Sequence, residues 1–292
     1  MERSYSIIRK KGKREEFIQA YDETMKLWPV PYEDIMISTR FGETHIIASG
    51  SIEAPALIIL HGMTFSATMW YPNIESLSKH YRVYAVDTLG DLGKSTITSL
   101  IRTREEAALW ISDILTELQL QSAIFMGHSM GGWLTLNFAL HSPEKVQKMI
   151  LLAPAAGIHK VTPKFLLKVY PAIMLPTVSR IRKELSWFMS KSYQPNAHAE
   201  VLIRQFIVSG MNCVPQLRVT PTVFKDHELQ GLTMEILLMV GDQEVIYDYD
   251  KMLSKANRVL PNVHTSVIHD AGHALTVEQY EIVNDTIIRF LI

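Results

Sequence analysis

The chain has 292 residues, of which 47% are hydrophobic and 20% charged, a balance that supplies apolar material for a doubly covered sheet and excludes general disorder. Its 29 basic and 30 acidic residues nearly cancel, so no overall field would hold a polyanion and no nucleic-acid partner is expected. The single cysteine, Cys213, excludes an intrachain disulfide, and no apolar run is long enough to span a bilayer.

Short apolar runs rich in branched residues recur along the chain, and each ends in a turn signal. Such runs indicate buried parallel strands. Between them lie segments of helical periodicity, the clearest at 103–120, where Thr103 and Glu106 predict a capping box. Because strand and helix alternate, the sequence predicts an α/β fold with a mostly parallel central sheet covered by helices on both faces. The predicted strands are 56–60, 82–86, 123–126, 148–152, 235–240 and 265–268.

The alternation fails once, at 156–231, where helical patterns occur without a convincing strand. We therefore predict a helical lid inserted at 156–231, between an N-terminal part of the core at 1–155 and a C-terminal part at 232–292. An insertion at this point would lie over the ends of the strands. Most aromatic side chains of this segment are expected to pack against the core rather than to face a substrate. They are Phe165, Tyr170, Trp187, Phe188 and Phe206.

A serine lies in the sequence Gly127-His128-Ser129-Met130-Gly131, which follows the predicted strand 123–126 directly and opens a helical segment. A serine held at a sharp strand-to-helix turn needs a strained backbone, and the flanking glycines remove the side chains that would block that turn. The bare five-residue pattern is common by chance, but its position between a strand and a helix makes it specific. The sequence therefore predicts Ser129 as a nucleophile.

A serine hydroxyl is hardly ionised at neutral pH, so this nucleophile needs a general base, and the base needs a carboxylate that fixes its tautomer. His273 follows the predicted strand 265–268 and is the predicted base. The loop after strand 235–240 offers two acids, Asp242 and Glu244. We prefer Glu244, because it lies further into the loop that must reach the imidazole, and keep Asp242 as the alternative acid.

The oxyanion of a tetrahedral intermediate requires two preplaced backbone N–H donors, one after the nucleophile and one in the loop after an early strand. Met130 directly follows the predicted nucleophile. Met63 belongs to the segment His61-Gly62-Met63-Thr64, which follows the predicted strand 56–60. The backbone N–H groups of Met63 and Met130 are therefore the predicted oxyanion donors.

Five short segments contain these features: HG at 61–62, DTLGDLGKS at 87–95, GHSMGG at 127–132, GDQE at 241–244 and AGH at 271–273. Together they resemble the α/β-hydrolase superfamily, and more narrowly the bacterial carboxylesterases of the naproxen-esterase type, which cleave arylpropionate esters. The likeness covers about residue 50 to the end. It implies an α/β-hydrolase fold, an acyl-enzyme and a buried apolar acyl site beneath the lid. The family acid is usually aspartate, so Glu244 is a departure, although these esterases tolerate it.

Three functions are compatible with these residues. The first is a serine carboxylesterase that hydrolyses esters of small to medium, apolar or aryl acids through an acyl-enzyme. The second is another activity of the same fold, namely a thioesterase, a lactonase, a carbon–carbon bond hydrolase or an acyltransferase. The third is a ligand sensor that keeps the hydrolase shell, but a pure binding protein does not need a complete triad and both donor loops.

The expected partners follow from the same residues. The substrate is a small-molecule ester, and no cofactor or metal is expected because neither HExxH nor paired CxxC occurs. The segment 89–95 resembles the end of a phosphate-binding loop, but Thr88 replaces the first glycine that such a loop requires. The N-terminal charges are not followed by an apolar run, so a cytoplasmic location without a membrane span is expected. A homodimer is left open.

Overall fold

The computed structural model describes residues 6–9 and 12–292, with all of their side chains except those of Tyr170 and Ala172. Its centre is a nine-stranded sheet in which β3 to β9, apart from β5, run parallel. The strands are β1 (Tyr32–Thr39), β2 (Gly42–Ser49), β3 (Ala56–Leu60), β4 (Arg82–Val86), β5 (Thr96–Ile97), β6 (Ala123–His128), β7 (Val146–Leu152), β8 (Glu235–Gly241) and β9 (Val263–Ile268).

The strand order is β1-β2-β4-β3-β6-β7-β8-β9, with β5 paired to β2. All six predicted strands are present, and a mostly parallel sheet is confirmed. The antiparallel hairpin of β1 and β2 was not predicted. Its outer strand, β1, is largely exposed and carries Glu33 and Asp34 among its apolar residues, so it lacks the continuous apolar run of a buried strand.

Helices cover both faces of the sheet, as predicted. Thr103 accepts a hydrogen bond from the Glu106 N–H, and this capping box opens α3. On one face α3 and α4 bury Trp110 and Trp133, and on the other α11 buries Ile287. The helices outside the segment between β7 and β8 are α1 (Arg14–Met25), α2 (Ile74–Ser78), α3 (Arg104–Glu117), α4 (Met130–His141), α9 (Tyr249–Val259), α10 (Leu275–Glu278) and α11 (Tyr280–Leu291).

Four helices lie between β7 and β8, within residues 156–231, which we call the helical segment. They are α5 (Pro163–Met174), α6 (Val178–Phe188), α7 (Ala197–Asn212) and α8 (Asp226–Gln230). The side chains of Thr162, Thr177 and Asn196 cap the first three helices by accepting a backbone N–H one turn on. Helix α7 packs against both α1 and α6, so the segment is anchored to the N-terminal helix.

Candidate active site

The predicted strand-turn-helix around Ser129 is present in the structure. Strand β6 ends at His128, α4 begins at Met130, and Ser129 between them has φ 52° and ψ −113°. A non-glycine residue with positive φ is strained, and such strain is often found at functional positions. A Cβ added to Gly127 would lie 2.2 Å from the Gly131 carbonyl oxygen, which explains why the turn needs glycine there.

Two residues from the loops after β8 and β9 form a hydrogen-bonded pair. The His273 Nδ1 lies 2.8 Å from Glu244 Oε2, and the Glu244 side chain is fully buried. The other carboxylate oxygen, Oε1, accepts the backbone N–H groups of Val245 and Ile246, each at 2.8 Å. Both oxygens of Glu244 are therefore occupied, and the carboxylate can orient an imidazole without moving.

The alternative acid, Asp242, has different partners. Its Oδ2 lies 3.3 Å from Nδ1 of His269, a histidine whose side chain is 88% exposed. Its Oδ1 accepts the N–H of Ala271 at 3.3 Å, which stabilises the loop that leads to His273. The structure thus brings Glu244, and not Asp242, against the imidazole of His273.

The loop that carries His273 is bonded to the end of helix α6. The His273 N–H donates to the Phe188 carbonyl at 2.7 Å, and the two rings lie 5.6 Å apart. The buried carboxylate of Glu278 accepts the N–H groups of both Gly272 and Ser190, and burial raises the pKa of Glu278. Glu278 was not predicted from the sequence, in which it is an acid directly after the mainly apolar residues 274–277.

The loop after β3 passes directly over Ser129. A Cβ added to Gly62 would lie 3.4 Å from the Ser129 Cβ, so the residue before Met63 lies against the nucleophile. Thr64 has φ 65°, and its N–H donates to Oδ1 of the buried Asp91 at 2.9 Å. Burial raises the pKa of Asp91 to about 7. Asp91 lies in the phosphate-loop-like segment and was not predicted to support the oxyanion loop.

Two buried histidines complete the surroundings of the site as neutral groups. The His128 Nε2 donates to the His273 carbonyl at 2.8 Å, and burial beside His273 lowers the pKa of His128 to about 3. His61 donates from Nδ1 to the Gly62 carbonyl and accepts the Thr88 N–H at Nε2. Burial lowers the pKa of His61, which matches this use of one donor and one acceptor.

Comparison with known proteins gives relatives for the whole chain. A profile of the alpha/beta hydrolase fold family matches residues 55–201. The chain is 38% identical to uncharacterized carboxylesterase nap of Bacillus subtilis strain 168, over 94% of its own length and 91% of the relative. It is 37% identical to carboxylesterase YbfK of the same strain, over 94% of its own length and 93% of the relative. The chain belongs to the α/β-hydrolase family.

Solved structures agree with the sequence relatives of this hydrolase. The naproxen esterase (carboxylesterase NP) from Bacillus subtilis superimposes with a TM-score of 0.89 at 37% identity, covering 97% of this chain and 100% of that one. Carboxylesterase CesB (YbfK) from the same organism gives a TM-score of 0.88 at 34% identity, covering 96% and 98%. The predicted resemblance to bacterial carboxylesterases is therefore confirmed.

Ser129 and His273 line one cavity of the hydrolase, and most of its wall is apolar. Phe165, Phe188 and Phe206 of the helical segment line this cavity. The expectation of core packing is also met, because Phe165 and Phe188 pack against the main hydrophobic core and Phe206 is buried in a smaller hydrophobic cluster. The side chain of Tyr170 lies outside the described residues. Helices α5, α6 and α7 all contribute residues to the wall of the cavity, so side chains on these helices can pack against the core and line the cavity at once.

Two charged side chains interrupt the apolar wall. The Arg9 guanidinium donates to the carbonyls of Cys213 at 2.7 Å and Ile173 at 2.8 Å, which joins the N-terminal segment to the ends of α7 and α5. Burial raises the pKa of Glu184, on α6, to about 7. Cys213 is buried, and burial raises the pKa of its thiol to about 12, so the thiol is un-ionised at neutral pH.

Within residues 6–9 and 12–292, no three His, Cys, Asp or Glu side chains are grouped as metal ligands. None of the helices in these ranges combines the length and apolarity that crossing a bilayer requires.

Proposed function

We propose that this α/β hydrolase is a carboxylesterase with Ser129 as nucleophile, His273 as base and Glu244 as orienting acid. The observation that carries the proposal is the fixed Glu244–His273 pair, whose imidazole lines the same cavity as Ser129. The two Bacillus carboxylesterases to which the chain is 37–38% identical support the choice of an ester bond.

The reaction proceeds in two steps. The Ser129 Oγ attacks the ester carbonyl carbon while His273 takes the hydroxyl proton, and the Met63 and Met130 N–H groups bind the oxyanion. His273 then gives this proton to the departing alkoxide, which leaves as the alcohol. Water attacks the acyl-enzyme with His273 again as base, and the carboxylic acid is released as Ser129 regains its proton.

The substrate class follows from the cavity wall and from the relatives. Phenylalanine and aliphatic side chains suit an apolar or aryl acyl group of small to medium size. One structural relative is named a naproxen esterase, which supports an aryl acyl group here. We further propose that residues 156–231 act as the lid, between core parts at 1–155 and 232–292. Cytoplasmic location stays a prediction, and a homodimer stays open.

The test compares wild type and Ser129→Ala, purified side by side, on p-nitrophenyl acetate and butyrate. Removing the nucleophile should lower kcat/KM by about 10⁴-fold or more, because the acyl-enzyme forms on the Ser129 hydroxyl. A parallel panel of acyl-thioesters, lactones and amides checks the bond type. Preference for one of these over esters by orders of magnitude would replace the esterase with another activity of the fold. If the folded wild-type protein neither hydrolysed any of these substrates nor reacted with a fluorophosphonate, the protein would be a ligand sensor instead of an enzyme.

A further inference from the structure

Helix α5 is apolar on both of its long faces. Its inner side chains, Phe165, Val169 and Ile173, are spaced one turn apart and line the catalytic cavity. Its outer side carries further large apolar side chains, more than half exposed, on the same helix as the exposed Lys164 and Lys168. The outer side chains are Leu166, Leu167 and Met174.

The exposed apolar surface continues past the end of α5. Leu175 and Val178, in the turn to α6, are also more than half exposed. Five of the thirteen exposed large hydrophobic side chains in the described part of the chain thus lie within residues 166–178. Single exposed apolar residues are ordinary, but such a concentration marks a site of interaction. We call Leu166, Leu167, Met174, Leu175 and Val178 the outer patch.

The outer patch lies in a basic stretch of a nearly neutral chain. Residues 160–191 contain seven lysines and arginines and one acid, Glu184, which faces the cavity. All seven basic side chains are exposed, and among the ion pairs of the described residues only Arg182 has a carboxylate partner, Glu200. The basic residues are Lys160, Lys164, Lys168, Arg180, Arg182, Lys183 and Lys191.

We propose that the outer patch and its basic surroundings dock this protein on an anionic lipid surface. An amphipathic element with exposed leucines between lysines is typical of segments that lie in the interface of a membrane. The apolar side chains would enter the acyl boundary while the ammonium and guanidinium groups pair with anionic headgroups. Because the inner face of α5 lines the cavity, an amphiphile in that surface would be one helix away from Ser129.

A second copy of the chain fits this surface less well. A two-fold pair built on the outer patch would set the same surface against itself, and therefore the same basic residues against each other. The six-unit excess of positive charge in 160–191, seven basic residues less one acid, would repel across such an interface. An anionic surface removes this repulsion, which is why we choose lipid rather than self-association.

The experiment measures cosedimentation of the full chain with vesicles of pure phosphatidylcholine, or of phosphatidylcholine mixed with an equal part of phosphatidylglycerol. Wild type should bind the anionic vesicles and should not bind the vesicles of pure phosphatidylcholine. Raising the salt concentration should weaken binding, because it screens the headgroup charge. Lys164→Gln should reduce the partition coefficient by about fivefold, the ordinary contribution of one basic residue near a membrane.

The apolar contribution is tested with a matched pair of variants. Leu167→Asn should reduce partition by about tenfold, since the leucine leaves water on docking. Ile52→Asn is the control, because Ile52 and Leu167 are both 76% exposed and Ile52 lies outside the helical segment. Equal binding by wild type and Leu167→Asn, or no binding to anionic vesicles, would overturn the proposal. So would a wild-type dimer in sedimentation velocity that Leu167→Asn dissociates, since the patch would then join two copies.

The lipid proposal and the proposed esterase can fail separately. Leu167→Asn should hydrolyse soluble p-nitrophenyl acetate at the wild-type rate, because Leu167 does not line the cavity. Conversely, Ser129→Ala should bind anionic vesicles as wild type does, since Ser129 lies inside the cavity.

Discussion

The loops that carry the triad and the helical segment above them use their side chains differently. In the loops the triad acid has fixed partners, because the oxygens of Glu244 accept three N–H groups while the side chain is fully buried. In the segment, α5 and α6 present mainly apolar side chains to the cavity, and α5 presents them to the outside as well. Proton transfer needs fixed donors and acceptors, whereas apolar contacts can fit acyl groups of different shapes. Substitutions in the loops should therefore lower the rate of hydrolysis of every ester. Substitutions in the helical segment should instead change the preference of the enzyme among esters.

After loss of the nucleophile itself, the largest effect should come from the acid. Glu244→Gln should lower kcat/KM by about 10³- to 10⁴-fold for acetate and octanoate esters alike, because an amide cannot stabilise the imidazolium of His273. Steady-state kinetics on both p-nitrophenyl esters measure this loss. Asp242→Asn is the matched control and should stay within about threefold of wild type, since Asp242 bonds to His269 and Ala271. If Asp242→Asn lost more activity than Glu244→Gln, Asp242 rather than Glu244 would be the acid that orients His273.

A second effect concerns the acid beneath the oxyanion loop. Asp91 has a folded pKa of about 7, raised above its unfolded value by burial, so the unfolded chain releases this proton at lower pH. Its contribution to stability is present at low pH and is lost as pH rises toward 7. Between pH 5 and pH 8, the free energy of unfolding of wild type should therefore fall by on the order of 2 kcal/mol relative to that of Asp91→Asn. Urea unfolding measures this difference. Asp285 is exposed, so the control variant Asp285→Asn should show the same dependence of stability on pH as wild type.

A third effect tests the segment itself. Phe165→Ala should reduce the preference for p-nitrophenyl octanoate over acetate by about tenfold, because it removes an aromatic contact with the acyl chain. Leu167→Ala changes the outer face of the same helix and should leave the ratio of the two kcat/KM values unchanged. If both esters instead lost rate equally in Phe165→Ala, the contrast between the loops and the segment would fail.

The smallest effect concerns Glu184. Burial raises the pKa of Glu184 from 4.5 to about 7, so the folded state is disfavoured as pH rises through this range. Glu184→Gln should stabilise the protein at pH 8 by on the order of 1 kcal/mol, a value reduced for solvent screening because the side chain is partly exposed. At pH 5 the gain should fall to a few tenths of a kcal/mol. Thermal unfolding of both proteins at the two pH values measures this gain. The prediction would be wrong if Glu184→Gln were less stable than wild type at pH 8.

The sequence by itself determined the features that depend on neighbouring residues. Six parallel strands, the capping box of Thr103 and Glu106, and the strand-turn-helix around Ser129 each follow from a local pattern of apolar, capping or glycine residues. The preference for Glu244 over Asp242 also came from a local argument, the distance of each acid from the end of its strand. The roles of these residues stay predictions until the variants are measured.

Only the tertiary structure decided which distant groups support the site. Asp91 reaches Thr64 across 27 residues, and Glu278 joins the His273 loop to Ser190 across 88. Whether Phe165 lines a cavity in addition to packing against the core depends on what lies beneath its helix, and helical periodicity is the same in both cases. Local patterns record how a segment folds, whereas hydrogen bonds and cavities form between segments that the sequence does not place side by side.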